Sequence, residues 1–210
     1  MSRPIIDLNF RPRLEVITGC MFSGKTEELI SLLDQYRHAR ASVVLLRPEK
    51  DTRESETHFG RKFEGIYIPK DCTIGQLRDV LSEKKIEFDK TDVFGFDEGN
   101  FFEPEAFVSL CNDLYDEGKI IIVAGLDKTF AEIGYGPMPK LILAADVVDK
   151  RHAICVVCGS PYATRTQRLI DGKPASKDSP QDIVGDEKAR ETSVGVVTYE
   201  PRCRHCHKLD

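Results

Sequence analysis

The sequence predicts an α/β fold with a mostly parallel sheet and helices on both faces, followed by a small metal-stapled C-terminal unit. Short apolar runs alternate with helical periodicity between residues 14 and 148, which is typical of a covered parallel sheet. A glycine-rich loop joins the first run to the first helix, and the last part of the chain carries a Cys-x-x-Cys motif near each end. We therefore expect two domains, residues 1–150 and residues 151–210.

The elements of the larger domain follow from apolar periodicity. Strands are predicted at residues 14–18, 43–46, 93–96 and 119–124, and helices at residues 26–38, 77–85 and 104–117. Residues 49–65 are polar and lack this periodicity, which predicts a mobile loop. Residues 151–210 hold too few apolar side chains for a core of their own and need a staple.

Composition restricts the classes of function. The chain has 210 residues, 40% of them hydrophobic, and a formal net charge of −5, whereas proteins that coat nucleic acid normally have a basic surface. No apolar run approaches the roughly 18 residues of a membrane span, and we see no signal peptide. We expect a cytoplasmic protein that binds neither membrane nor nucleic acid, and whose seven cysteines are metal ligands or free thiols.

The glycine-rich loop matches G-x-x-x-x-G-K-[ST], the P-loop motif. It consists of Gly19, Cys20, Met21, Phe22, Ser23, Gly24, Lys25 and Thr26. In such loops backbone N–H groups surround phosphate oxygens, the lysine reaches the β and γ phosphates, and the hydroxyl binds Mg²⁺. With a strand before it and a helix after it, the motif predicts a P-loop NTPase-like, nucleotide-binding domain. The alternative is a glycine-rich turn with an exposed lysine, and Cys20 is expected to be a small filler.

An acidic pair ends the third predicted strand, where VFGF leads into Asp97 and Glu98. An aspartate at this point commonly holds Mg²⁺ in P-loop proteins. A carboxylate just beyond a strand's C-terminal end lies where open α/β sheets bind ligands. Glu98 could therefore accept the proton of a hydroxyl that attacks a phosphoryl group. The alternative is that the pair merely begins a turn.

The two Cys-x-x-Cys motifs predict a structural zinc ribbon. Cys155, Cys158, Cys203 and Cys206 can supply four thiolates in a tetrahedron. Such a closed site leaves no open position for chemistry, so the metal would organise its segment. His205 and His207 adjoin the second motif and could replace a cysteine, although the spacing favours the cysteines.

Aromatic residues stand near these motifs. Phe101 and Phe102 follow the acidic pair, Phe130 follows the KIIIVA strand, and Tyr199 precedes the second cysteine motif. All but Tyr199 follow strand C-termini, where a flat ligand could lie. Core packing is the alternative for each residue taken singly.

Together these motifs resemble those of the cellular and bacterial thymidine kinases that combine a P-loop with a zinc ribbon. The resemblance covers roughly residues 13–208. The MFSGK core of the loop matches the family's P-loop and is more specific than the generic motif. DEGNFF at residues 97–102 is similar to the family's DExQFF. Further similar stretches are residues 51–53 (DTR), 58–60 (HFG), 125–130 (GLDKTF), 135–139 (YGPMP), 164–176 (TRTQRLIDGKPAS) and 199–207 (YEPRCRHCH).

The resemblance implies ATP-dependent phosphorylation of the 5′-hydroxyl of thymidine, and also of deoxyuridine, in pyrimidine salvage for DNA synthesis. It implies Glu98 as the catalytic base, Lys25 and Thr26 on phosphate and Mg²⁺, and Asp97 near the metal. The ATP site would comprise residues 19–26 together with Asp97, Glu98, Gly99 and Asn100.

The same resemblance implies a nucleoside site and an assembly. Phe101, Leu126 and Phe130 would wall the thymine pocket. Tyr199 would belong to a lasso, a loop that structural Zn²⁺ tethers over the nucleoside, so that residues 151–210 form a zinc-binding lasso domain. The family commonly forms homotetramers and is inhibited by thymidine triphosphate.

Three departures from the family pattern stand out. Asn100 replaces the usual glutamine, and AEIG after Phe130 lacks the family's arginine and proline. The third departure is a longer lasso: the family's Val-Gly before the tyrosine corresponds to the end of residues 179–185 (SPQDIVG), which leaves thirteen residues before Tyr199. Alternatively it corresponds to residues 194–195, with three residues intervening.

Two other functions remain open from the residues alone. One is another P-loop phosphotransferase or NTPase with a zinc module, which the generic motif fits equally well. The other is a zinc-ribbon protein that binds nucleic acid and uses the P-loop as a switch. The net charge of −5 argues against the second, and MFSGK with DEGNFF favours the kinase over the first.

Overall fold

The structure is a computed structural model that describes residues 11–49, 64–180, 190–192 and 195–210. Nearly all of the predicted mobile loop, including residues 51–53 and 58–60, lies outside the described residues. The same holds for most of the two stretches considered for the family's Val-Gly, residues 181–185 and residue 194. Within the described ranges, no helix is both long and apolar enough to cross a membrane.

The predicted parallel sheet is confirmed. Its six strands are β1 (Arg13–Gly19), β2 (Val43–Pro48), β3 (Ile66–Ile68), β4 (Val93–Phe96), β5 (Ile120–Gly125) and β6 (Val147–Arg151). They lie in the order β3-β2-β4-β5-β1-β6, and every pairing is parallel. The C-terminal ends of the six strands therefore lie at one edge of the sheet. The glycine-rich loop follows β1 at this edge, and the acidic pair follows β4.

Helices cover both faces of this sheet. They are α1 (Lys25–His38), α2 (Ile74–Glu83), α3 (Pro104–Asp116) and α4 (Met138–Ala144). Side chains alternate along β5, so that Ile120 and Ile122 pack in the cluster that includes α1, through Leu29 and Leu33. Ile121 and Val123 belong to the opposite cluster, which includes side chains of α2, α3 and α4. The uninterrupted apolar run of β5 is thus explained by burial on both faces.

Four elements of the larger domain, α2, β3, α4 and β6, differ from the prediction. Helix α2 begins at Ile74, ahead of the predicted start, because Thr73 and Gln76 form a capping box. β3 and α4 were not predicted, since each is short. β6 was also missed, because it is an edge strand whose Val147 and Val148 remain exposed.

The C-terminal segment forms a second, antiparallel sheet. Its strands are β7 (Arg165–Ile170), β8 (Lys173–Pro174), β9 (Arg190–Thr192) and β10 (Gly195–Arg202), in the order β8-β7-β10-β9. One cysteine motif precedes β7 and the other follows β10, so the pairing of these two strands brings the motifs together. The predicted division after residue 150 falls inside β6 and stays a prediction.

Candidate active site and metal centre

The glycine-rich loop occupies the C-terminal edge of the sheet, between the end of β1 and the start of α1. Gly19 has φ +146°, and a side chain there would place its Cβ 2.5 Å from the carbonyl oxygen of Arg151. Gly24, at φ 75°, caps the N-terminus of α1 in the left-handed region. Both motif positions therefore favour glycine, and phosphate binding by the loop stays a prediction.

Lys25 lies across this loop. Its Nζ donates to the carbonyl oxygen of Cys20 at 2.8 Å. Burial lowers the pKa of Lys25 below its ordinary value, while Cys20 and the carboxylates of Asp97 and Asp127 act in the opposite direction. Asp127, which the sequence did not single out, is itself buried and pairs with Lys150 at 2.9 Å. Burial outweighs these neighbours, so the nucleotide-free site disfavours the charged form of the lysine.

Asp97 connects the phosphate loop to the loop that follows β4. Its Oδ1 accepts hydrogen bonds from Thr26 Oγ1 and from the backbone N–H of Glu98, each at 3.0 Å. Its Oδ2 lies 3.3 Å from Nη2 of Arg47, at the end of β2, and both side chains are buried. Arg47 was missed by the sequence analysis, because an arginine after a buried strand looks like any exposed polar residue.

Glu98 adopts an unusual backbone conformation. It has φ 56° and ψ 40°, in the left-handed region, which residues other than glycine rarely occupy. Such a conformation costs on the order of 1–3 kcal/mol and tends to occur at functional sites. Asp97 and Glu98 do begin a turn, as the alternative interpretation proposed. This turn leaves Glu98 half-buried next to Asp97, which accepts a hydrogen bond from Thr26. Its role as a base stays a prediction.

Asn100 ties the acidic loop to the loop after β5. Its Oδ1 accepts from the backbone N–H of Leu126 at 3.0 Å. Phe101, the next residue, packs edge-on against Tyr135 at 5.6 Å between ring centroids. The Asn100 side chain, shorter than the family's glutamine, therefore holds the backbone of Leu126 next to the loop that carries Phe101. Phe102 is different, because it stacks on Phe107 in the core.

Phe130 and Tyr199 meet around Arg168 of β7. The guanidinium carbon lies 3.9 Å from the centre of the Phe130 ring, and Nε donates to the Tyr199 hydroxyl at 3.0 Å. Nη1 donates to the carbonyl oxygen of Pro180 at 2.5 Å. Arg168 is only 2% exposed, so it anchors this aromatic pair and the chain leading to residue 181. Nothing in the local sequence TRTQRL pointed to a buried arginine.

The four cysteines converge as the spacing predicted. Their Sγ atoms all lie within 4.8 Å of one another, and the Cys158–Cys203 pair is 3.7 Å apart. A tetrahedron with metal–sulfur bonds of about 2.3 Å has sulfurs about 3.8 Å apart, so the quartet fits Zn²⁺. Although burial opposes it, backbone N–H groups lower the pKa of Cys155 to about 6, whereas burial and the neighbouring thiols raise the pKa of Cys206. Among the described residues, neither His205 nor His207 joins this cluster.

Comparison with known proteins gives consistent matches. A sequence model of the family described as "Thymidine kinase" matches residues 12–207. A thymidine kinase of Haloquadratum walsbyi is 38% identical to this chain, over 93% of the chain and 95% of that protein. One of Chloroflexus aurantiacus is 41% identical, over 93% of the chain and 94% of that protein.

A comparison with solved structures gives a more distant match. The flagellar accessory protein FlaH from Methanocaldococcus jannaschii matches with a TM-score of 0.46 and 16% identity, over 67% of this chain and 71% of that one. This likeness is too weak to carry an argument about fold or function.

Proposed function

The chain belongs to the thymidine kinase family and is a kinase, and we propose that it transfers the γ-phosphoryl group of ATP to the 5′-hydroxyl of thymidine. The observation that carries this proposal is the bond between Thr26 of the phosphate loop and Asp97. It fixes the loop that would hold the donor next to Glu98, the residue that would act on the acceptor.

On the donor side, the loop's backbone N–H groups and Lys25 would bind the phosphates. Thr26 and Asp97 would hold Mg²⁺, and their side chains already lie in contact. When bound, Mg²⁺ neutralises negative charge on the β and γ phosphates. Arg47 lies beside Asp97 as its buried counter-charge and helps to fix the position of the carboxylate.

On the acceptor side, Glu98 would accept the proton of the 5′-hydroxyl. As the oxygen–phosphorus bond forms, the bond between the γ phosphorus and its bridging oxygen breaks, and ADP leaves. The proton ends on the Glu98 carboxylate. The turn at Glu98, held by the Asp97 side chain, supports this role because it fixes the backbone of the base relative to Thr26.

The nucleoside site would be built from two groups of residues. Phe101 and Leu126 are linked through Asn100 on one side, and Phe130 and Tyr199 are linked through Arg168 on the other. Such a pocket would accept thymine, and also uracil, which lacks only the methyl group. We therefore include deoxyuridine as a substrate and pyrimidine salvage as the role.

Family membership supports four further expectations. The four-cysteine cluster would bind one structural Zn²⁺. The chain would assemble as a homotetramer in the cytoplasm, and thymidine triphosphate would inhibit it. Membership also weighs against a phosphotransferase with an unrelated acceptor, which the loop alone would allow.

A nucleoside panel tests the proposal. Zinc-loaded protein is incubated with Mg-ATP and thymidine, deoxyuridine, deoxycytidine or deoxyguanosine, and the products are identified by chromatography and by phosphorus NMR. We expect 5′-monophosphates of thymidine and deoxyuridine only. Equal rates on all four nucleosides would refute the proposed base specificity. Failure to form any nucleotide product would refute the proposal itself.

A further inference from the structure

We infer that the zinc-binding segment braces the phosphate loop itself, through Thr166 and Cys20, so that the metal centre sets the affinity for ATP. This goes beyond tethering a loop over the nucleoside, and it rests on the proposed function, in which the loop binds ATP. Three contacts between loop residues and residues 151–166 carry the inference.

The first contact comes from the strand that leads into the metal centre. β6 pairs in parallel with β1, and Arg151 lies opposite Gly19 at the start of the loop. Arg151 Nε donates to the carbonyl oxygen of Ser23 at 3.2 Å, and Nη1 reaches Glu28 of α1 at 2.8 Å. The chain that continues to Cys155 therefore starts alongside the phosphate loop.

The second contact comes from the second sheet. Thr166 on β7 is 4% exposed, and its Oγ1 accepts from the backbone N–H of Met21 at 3.0 Å. This N–H is therefore satisfied by the C-terminal segment, in a partly buried place where loss of the partner would weaken the restraint on Met21. The position of β7, which follows the first cysteine motif, helps to fix the backbone of Met21.

The third contact joins the loop to the metal centre. Cys20 is 2% exposed and packs in one apolar cluster with Ala153, Ala163, Cys155 and Cys203, of which the last two are proposed zinc ligands. Its Sγ lies 3.2 Å from the carbonyl oxygen of Ala163, to which it donates. The small side chain that the sequence suggested as a filler thus contacts the metal-binding unit.

Cys20 also passes this restraint to the phosphate side of the loop. Its carbonyl oxygen accepts from Lys25 Nζ and from Ser23 Oγ, each at 2.8 Å. A shift of the Cys20 backbone would therefore move the carbonyl oxygen that holds the Lys25 ammonium group. Metal binding supplies folding free energy to a segment with little core of its own, so loss of zinc should loosen the loop and lower its affinity for phosphate.

The test measures ATP-site binding in the full-length protein, with the Mg²⁺ complex of a non-hydrolysable ATP analogue in a calorimeter. Thr166→Val keeps the side-chain volume and the four cysteines but removes the acceptor for Met21. We expect normal zinc content, binding weaker by about five-fold, which is the usual worth of one such hydrogen bond, and faster amide exchange at Met21. Thr198→Val is the matched control on the neighbouring strand β10 and should leave the affinity unchanged.

Chelation of the zinc is the second arm, and we expect it to weaken analogue binding at least as much as Thr166→Val does. Analogue affinity and Met21 exchange equal to wild type in zinc-loaded Thr166→Val would overturn the inference, as would unchanged affinity in folded, zinc-free protein. If wild type binds the analogue but phosphorylates no nucleoside, the proposed function fails. The bracing is then still judged by its own two arms.

Discussion

The hydroxyl of Thr26 donates to Oδ1 of Asp97 at 3.0 Å, so a residue of the phosphate loop and a residue after β4 share one hydrogen bond. The other oxygen of Asp97 faces Arg47, and the two side chains are 7% and 9% exposed. Charged side chains buried to this degree are normally paired. The aspartate is thus placed by a hydroxyl on one side and a buried cation on the other.

We predict that Arg47→Met destabilises the protein by about 3–5 kcal/mol, because it leaves the charge of Asp97 buried without its partner. The free energy of unfolding is measured with urea for the wild type, Arg47→Met, Asp97→Asn and the double variant. The double variant should recover part of the loss. Strictly additive losses would show that the two side chains do not interact.

Asp97→Asn should raise the Mg²⁺ concentration that gives half-maximal activity, because it removes a charge that would hold the metal. Affinity for the ATP analogue without Mg²⁺ should change little. Asp89→Asn, which alters an exposed carboxylate paired with Arg78, is the control. An unchanged Mg²⁺ requirement in Asp97→Asn would exclude Asp97 from the metal site.

As the pH rises, affinity for ATP should begin to fall at a lower pH than an ordinary lysine would cause. Burial lowers the pKa of Lys25 in the nucleotide-free protein, and phosphate binds the protonated form. Affinity is therefore constant below that lowered pKa and declines as the pH passes through it. Lys25→Arg keeps its charge, so its binding profile should stay flatter at alkaline pH. Parallel profiles for the two proteins would contradict the assignment to Lys25.

Arg168→Met should weaken thymidine binding far more than binding of the ATP analogue. It removes the cation that stacks on Phe130 and bonds the Tyr199 hydroxyl. Tyr199→Phe, which loses only that hydroxyl, should raise the KM for thymidine by a few-fold, on the order of one hydrogen bond. Equal losses of thymidine and analogue binding in Arg168→Met would instead mark a general structural defect.

The elements that the sequence predicted well are those with a local signal. The apolar runs of β1, β2, β4 and β5 are buried in the sheet, and Gly19 and Gly24 have backbone angles that favour glycine. The cysteine quartet was also predictable, since each pair of ligands is close along the chain. Thr73 and Gln76 carried a usable signal, a capping box, that was overlooked.

The features that the sequence did not predict depend on contacts between distant segments. Arg47 and Arg168 are buried because carboxylate, aromatic and carbonyl partners happen to meet them in the fold, and single-sequence patterns place arginine outside. Thr166 bonds Met21 across 145 positions of the chain. Such pairs become visible only once β6 and β7 are placed beside the phosphate loop.

The most direct test of the central claim is the turnover of thymidine with Mg-ATP by the wild type and by Glu98→Gln. Glu105→Gln, the same change at an exposed position of α3, is the control. We predict formation of the 5′-monophosphate by the wild type and by the control. In Glu98→Gln, kcat should fall by about 10²–10⁴-fold, while binding of thymidine and of the ATP analogue is retained. Turnover by Glu98→Gln within a few-fold of the wild type would contradict the account.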